Sequence, residues 1–459
     1  MKKFYSVTAL ALLCVGCMVL TSCKDKDDEK VLGPAGTKSY LEEVALEMAG
    51  KVDVKDFEHY VKLVKHVNDN YVDGNASWDN DVEGWAENIM DNLMGSIVKT
   101  SMKTEKQTYY YTYTYNYYYN HYQGTILASN FKGHWTYNTS RRKWQHTSAD
   151  DIQFIFPNQS GEECVLKAVV SGRVKKAYLF YVDDYKRMSH PSNYVWNEYY
   201  DRKECTLGVP EQIVITLTEG GRTLITQTVK INLDDITDET FDIGKSKFSF
   251  TSNTVCDNGY VMDVKNAAYT AKSATVEFTL TKNGERLVHS TISNDLKNVP
   301  QKQLTDLYDM NGSEIDDLFA DANGTSAFSV DVLGKVQVKG TCGDAHKLAD
   351  CLDELEDAED EATYKKLVND ANTTFEANLY YNGTSTRQAY VRLEAFDEDE
   401  WDDDYYDSRS YFYSSWSYRP IICFPDGTSY SCANYFNEDD FTKIIDEYNR
   451  QEDAAEDMW

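Results

Sequence analysis

One short pattern recurs along this chain and restricts its fold more than any other feature. An alternating run leads into a tight glycine-bearing pair, and a second alternating run leaves it. Ile213–Leu224 turns at Gly220-Gly221, and Val276–Leu287 turns at Asn283-Gly284. The two stretches share Thr-Leu-Thr before the turn, a glycine within it and a leucine after it. Phe375–Tyr390 repeats the design around Asn382-Gly383, and Ile421–Tyr435 around Asp426-Gly427. Pairs of this kind take positive φ and reverse the chain in two residues, a connection open only to antiparallel neighbours. The pattern therefore demands hairpins. Structural duplication explains the echo, and so does hairpin chemistry reached twice.

A second alternation lies upstream. Tyr109 to Tyr122 holds nine tyrosines in fourteen residues. Tyr111, Tyr113, Tyr115, Tyr117 and Tyr119 fall on one face of a period-two strand, and Thr112, Thr114 and Asn116 on the other. Phenol rings offer apolar area plus a hydroxyl, so this face is the candidate ligand-binding surface, for a glycan or a protein. The competing expectation is that these rings are core, and composition favours it: a face this rich in rings has much apolar area to bury. Further strands are expected at Trp135/Tyr137, Trp144, Phe154-Ile155-Phe156 and Val165–Val169.

Helical spacing marks other parts. Leu41, Val44, Ala45 and Met48 keep it, then Phe57, Tyr60, Val61, Val64 and Val67, then Trp85, Ile89, Leu93, Ile97 and Val98. Lys302–Phe319 is weakly helical, and Asp344–Asn372 carries Leu348, Leu352, Leu355, Tyr364, Leu367 and Val368 at helical intervals. The last helix is expected to start from Asn437 as N-cap, with Asp440 at the third position and a Phe436–Phe441 staple, and to bury Phe441, Ile444, Ile445 and Tyr448.

Charge and motif content exclude several functions. The net charge is −30, from 46 basic and 76 acidic residues, which repels nucleic acid. An aromatic fraction of 13% is far above that of a disordered acidic chain. No G-x-S-x-G, P-loop, G-x-G-x-x-G or HExxH occurs, and no CxxC occurs after Cys23, so no catalytic residue, metal ligand or cofactor other than a covalent lipid is assigned. Asp183 with Glu198 is one of many carboxylate pairs that a glycosidase reading could use. Asp397–Asp404 reads as an acidic surface loop without the glycine spacing of an EF-hand. Cys423 and Cys432 flank a turn and are the one plausible disulfide; Cys342 and Cys351, about 13 Å apart if on one helix, are not.

The N-terminus supplies an address. Lys2 and Lys3 precede an apolar run from Val7 to Leu20, the layout of a secretory signal peptide. Leu20-Thr21-Ser22-Cys23 then resembles the bacterial lipobox, which implies a covalent lipid on Cys23 and loss of residues 1–22; removal of Lys2 and Lys3 takes the net charge from −30 to −32. Lys24-Asp25-Lys26-Asp27-Asp28-Glu29 is similar to the export signal of Bacteroidota surface lipoproteins, with Asp25, Asp27, Asp28 and Glu29 as its acidic residues. The resemblance implies a protein held in the outer membrane and facing the cell exterior. From Phe131 onward the chain loosely resembles the same surface-exposed lipoproteins, in Phe154-Ile155-Phe156 with Cys164-Val165-Leu166, Val209-Pro210-Glu211, Tyr380-Tyr381-Asn382-Gly383, and Phe424–Thr428 with Tyr435-Phe436. That likeness implies no activity.

The expected organisation is a signal peptide at 1–22, an acidic tether at 23–37 broken by Gly33-Pro34-Ala35-Gly36, a helical module at 38–100, an antiparallel β-rich region at 101–300, a mixed helical region at 301–372, and β-hairpins with a C-terminal helix at 373–459. The fold class is α+β: a large antiparallel meander with helices on one face, for which a curved half-barrel is one form. Three functions stay open: a non-catalytic surface module for a glycan or protein, a carrier of an apolar ligand in a curved sheet, and a hydrolase acting on glycans. The expected partners are the lipid bilayer, through the N-terminal anchor, and a glycan or protein ligand.

Overall fold

The computed structural model describes residues 31–71, 99–108, 114–141, 143–190, 195–233, 242–302, 314, 322–356, 358, 360–404, 409–436 and 441–456. The signal peptide with Cys23, Asp25, Asp27, Asp28 and Glu29, the pattern from Trp85 to Val98, Tyr111, Tyr113, most of Lys302–Phe319, Asn437 and Asp440 lie outside them.

The elements run α1 Gly33–Lys51, a 3₁₀ turn Val54–Phe57, α2 Glu58–Tyr71, β1 Lys99–Thr108, β2 Thr114–Ile126, β3 Gly133–Asn138, β4 Lys143–Thr147, β5 Ile152–Pro157, β6 Glu163–His190, β7 Val195–Glu219, β8 Arg222–Asn232 and β9 Phe248–Cys256. There follow β10 Tyr260–Thr270, β11 Ser273–Lys282, β12 Glu285–Leu296, β13 Asn323–Val332, β14 Val336–Cys342, α3 Ala345–Glu356, α4 Glu361–Ala371, β15 Phe375–Tyr381, β16 Arg387–Asp404, β17 Arg409–Cys423, β18 Ser429–Ser431, α5 Cys432–Tyr435 and α6 Thr442–Glu456. The chain divides into two compact units. The first comprises Met1–His59, Thr251–Pro300 and Gly312–Trp459; the second comprises Tyr60–Phe250 and Gln301–Asn311.

The first unit is an antiparallel meander in chain order from β10 to β18, with β9 added by pairing to β10. It is open rather than closed into a barrel. The glycine pairs behave as the sequence demands: Asn283-Gly284 and Asn382-Gly383 all have positive φ. Alternation then sends one set of side chains to one face. Val332, Val336, Val338, Leu379, Val391 and Ile422 form a core with Leu41 and Val44 of α1. Cys342, Phe375 and Leu393, on the same face, form a second core with Leu348, Leu355, Leu367 and Val368 of α3 and α4. Gly340 sits under Phe328, where a Cβ would lie 2.1 Å from a ring carbon.

The glycine-proline stretch does not end structure before the fold. Gly33 and Pro34 open α1, where proline's missing N–H costs nothing. Polar ties fasten this helix along its length. The Leu32 N–H donates to Gln388 Oε1 (3.0 Å), Tyr435 Oη donates to the Pro34 carbonyl (2.7 Å), and Tyr40 Oη donates to Asn382 Oδ1 (2.6 Å). At the other end the Lys51 carbonyl accepts from Lys282 Nζ (2.7 Å) and Tyr260 Oη (3.0 Å), and both donors also reach Asp56 Oδ2, at 2.7 and 2.6 Å. The α6 helix begins beside the expected staple: the Phe436 and Phe441 rings are 5.8 Å apart. Phe441 and Ile444 are buried, but Tyr448 is 60% exposed and lies off the packed face.

The second unit is built on a long ribbon of β6 and β7, antiparallel to one another. β8 pairs with the second half of β7, and β2 pairs in parallel with the first half. β1 joins β2; β5 joins β6; β3 joins β5 in parallel and β4 antiparallel. Gly220 and Gly221 both take positive φ at the β7–β8 turn. The α2 helix packs here rather than with α1 in a separate module: Leu63 is buried with Tyr137, Phe156, Cys164 and Leu224. Tyr137 Oη donates to the Asn70 carbonyl at 2.7 Å.

The Asp56 cluster makes a pH prediction. Burial acts to raise the Asp56 carboxyl, but hydrogen bonds from Lys282 and Tyr260 and the Lys282 charge outweigh it, so its pKa lies below the ordinary aspartate value of 3.8. Burial, then the Asp56 hydrogen bond, pushes Tyr260 up to about 12. A depressed carboxyl contributes stability that is present above the unfolded value and lost as pH falls through the folded one. Asp56→Asn should cost about 1–3 kcal/mol at pH 7. In denaturant titrations that gap should narrow as pH drops below 3.8. A gap that stays constant down to pH 2 contradicts the assignment.

Candidate functional site

The tyrosine strand is the place to test for a site. Register with β7 puts Tyr115 beside Trp196, Tyr117 beside Glu198 and Tyr119 beside Tyr200 on one face. Asn116, Tyr118 and Asn120 face Asn197, Tyr199 and Asp201 on the other. Among the β2 residues whose side chains are described, the buried ones are Asn116 and Asn120, not the tyrosines. Asn116 Nδ2 donates to Asn197 Oδ1 at 2.8 Å, so the strand is pinned by paired amides. Tyr115 and Tyr117 are half-buried, and Tyr119 is 41% exposed. The alternation is as read; on the tyrosine face none of the three described rings is fully buried, while Asn116 and Asn120 on the opposite face are.

The rings form a ladder. Tyr119 and Tyr200 lie 5.1 Å apart with planes 14° from parallel. Tyr117 and Tyr200 are 6.3 Å apart at 27°, and Tyr115 and Tyr117 are 6.3 Å apart at 18°. On the other face Tyr118 and Tyr199 stack at 4.8 Å and 13°. Rings side by side in one plane cannot approach to 5 Å, whereas the spacing between strands, roughly 4.8 Å, matches face-to-face stacking across them. The rings therefore stand on the sheet as a stacked row rather than lying flat on it. Glu198, only 7% exposed, sits within it and accepts from Tyr200 Oη at 3.1 Å. Such a ridge offers phenol hydroxyls and apolar edges in a row. It does not offer the flat faces on which a sugar ring lies.

Tyr111 and Tyr113 fall outside the described residues. Tyr200, Trp196 and Glu198 join the ridge from a segment about eighty residues downstream. Their own alternation, Trp196-Asn197-Glu198-Tyr199-Tyr200, was the available signal, but the parallel pairing with β2 was not readable from it.

The other candidates dissolve on geometry. Asp183 is opposite Arg202 and Glu198 opposite Arg187, four positions along the same ribbon, or about 13 Å of strand. That exceeds the separation of a glycosidase pair, at most about 9.5 Å. Asp397–Asp404 is not a loop: it is the end of β16, paired residue for residue with β17. Among the described residues no group of three potential metal ligands gathers. Cys423 and Cys432 are not joined in a disulfide. Cys423 is in register with Tyr390 on the face opposite Val391 and Ile422, while Cys432 is part of the core beneath α1. Burial pushes the thiol of Cys164 up to about 11 and raises Cys256, Cys342, Cys351 and Cys423, which leaves these five protonated and poor nucleophiles.

No protein-family model matches the chain, and no curated protein or solved structure matches it either.

The ridge predicts an order of stabilities. Asn116→Ala strands the amide of Asn197 and should cost about 1–3 kcal/mol. Tyr119→Ala removes an exposed member of a cross-strand pair and should cost about 1 kcal/mol or less. Denaturant midpoints that place Tyr119→Ala as the more damaging change would restore the core reading.

Proposed function

We propose that this chain is a lipid-anchored, non-catalytic surface protein that binds another protein through the ridge of Tyr115, Tyr117, Tyr119 and Tyr200. The observation that carries this reading is the upright, partly exposed stack of phenol rings around Glu198. Tyrosine edges and hydroxyls give large contact area at a small cost in side-chain entropy, which is why protein-binding surfaces favour them. A glycan contact through stacked sugar faces fits this arrangement less well. The address rests on Leu20-Thr21-Ser22-Cys23 and on Asp25, Asp27, Asp28 and Glu29. Three acyl chains on Cys23 hold a protein to a bilayer far more firmly than the single chain whose binding is marginal.

Two measurements test the proposal. Cys23→Ala should abolish labelling by an alkynyl palmitate analogue and release the protein from membranes, while alanine at Asp25, Asp27, Asp28 and Glu29 together should keep the label but protect the protein from external protease on intact cells. A photo-crosslinking amino acid at position 119 should give a protease-sensitive adduct on cells, lost in Tyr117→Ala and absent with the crosslinker at the exposed Val169. An adduct of carbohydrate alone, or equal adducts from positions 119 and 169, argues against the ridge.

A further inference from the structure

The first unit contains a cavity of about 440 Å³ whose lining combines α4, β16 and the β17–β18 turn. Its origin is a short strand. Pairing of β15 with β16 stops at Ala377–Val391, and the next main-chain groups of β16 are taken by a side chain. Asn372 Nδ2 donates to the Leu393 carbonyl and the Leu393 N–H donates to Asn372 Oδ1, both at 2.8 Å. The end of α4 thus substitutes for a strand and leaves a concave gap beside it.

Charges in the lining are spoken for, with one exception. Lys365 pairs with Glu361 at 2.5 Å and lies 4.7 Å from the Trp416 ring. Glu394 accepts from Arg419 Nε and Nη2 at 3.0 and 2.8 Å. Arg392 has no carboxylate partner among the described residues, in a chain with 76 acidic groups and 46 basic ones. An arginine left without an acid amid such an excess points to an anion supplied from outside. Its planar fork suits a carboxylate. Around it the lining adds the Tyr390 ring, the Asn369 amide and the Ser429 hydroxyl, which match a ligand with one apolar face and several hydroxyls. The Arg387 guanidinium, 4.5 Å from the Tyr390 ring centre, fixes that ring. A long polyanion is disfavoured by the net charge of −30, whereas one carboxylate entering beside Arg392 meets mostly local charge.

We infer that this cavity is a binding site for a single carboxylate-bearing sugar, the size of a uronic or sialic acid, with Arg392 holding the carboxylate. The site lies in the first unit and is independent of the tyrosine ridge.

The full chain should be titrated calorimetrically at low salt with glucuronate, galacturonate and N-acetylneuraminate, and with glucose as the uncharged control. At least one acid should bind saturably, and glucose at least tenfold more weakly. Arg392→Ala should lose at least tenfold for that acid while melting like the wild type, because its side chain is exposed and holds no carboxylate. Arg392→Lys should fall between the two. A trisaccharide ending in the same acid that binds more tightly than the monosaccharide identifies a chain end as the ligand, and equal affinity identifies the free sugar. Failure of all three acids to bind, equal binding of glucose, or full affinity in Arg392→Ala overturns the inference.

Discussion

One face of the β10–β18 meander must be covered, and the first unit is arranged around that requirement. Strand alternation collects Val336, Val338, Leu379, Val391 and Ile422 on this face, and α1 lies over them. The same face continues through Cys342, Phe375 and Leu393, which α3 and α4 cover. A slip of one residue in any strand would carry its apolar set to the other side, so the turns that pin register are as much a part of the core as the leucines. The α1 helix comes from far away in sequence and is secured by polar ties at both ends. Those ties fall where the meander reverses: Asn382 in one turn, and Tyr260 and Lys282 at the strand ends beside another.

The hairpins were legible in the sequence to an unusual depth, and the echo between them proves structural. Leu217 pairs with Ile225 and then Thr218 with Thr223, so Leu224 is the extra residue of a bulge. Leu280 pairs with Val288 and then Thr281 with Arg286, so Leu287 holds the same place. Both leucines are fully buried, each in its own unit. The β15–β16 hairpin repeats the device with Gln388, between the pairs Leu379–Ala389 and Tyr380–Arg387. A bulge aims its extra side chain differently from its neighbours, which explains why a leucine recurs three residues after the glycine. The turn and the leucine can be read from sequence. The bulge cannot, because it is a property of two strands and sequence displays one.

What stayed hidden was long-range in each case. Spacing identified α1 and α2 as helices but not that they cover different sheets, because a helical stripe records that a face is buried and not against what. The α3 and α4 helices were readable together with their buried residues, since Leu348, Leu355, Tyr364, Leu367 and Val368 bury locally against one another and the strands beside them. In β2, period two was plain and the choice of inner face was not. Tyr115, Tyr117 and Tyr119 outweigh Asn116 and Asn120 on any hydropathy count, yet it is the amides that are fully buried, where Asn116 pairs with Asn197. The Asn116 Nδ2 donor is buried with a partner while its Oδ1 is buried without one, and that partner comes from β7, whose parallel approach nothing local announces.

The distribution of charge separates groups that hold the fold from groups held ready. Cations that secure α1 are matched to acids: Lys282 to Asp56, Lys51 to Glu285, and Lys335 to Glu47. On the opposite face of β14 to β16 two cations rest on rings instead, Lys339 on Tyr380 and Arg387 on Tyr390, at 5.2 and 4.5 Å, while Arg419 of β17 has both the Phe396 ring, at 4.5 Å, and the Glu394 carboxylate. A ring orders a cation without neutralising it, at a gain of about 0.5–1 kcal/mol when exposed. In a chain where acids exceed bases by 30, the first two of these cations could also have been given a carboxylate at little cost. Lys339 and Arg387 have no carboxylate partner among the described residues, and Arg392 beside them has none either. The charges of Lys339, Arg387 and Arg392 are thus not neutralised by a described carboxylate, which is the condition an anion-binding surface needs and a purely structural sheet face does not.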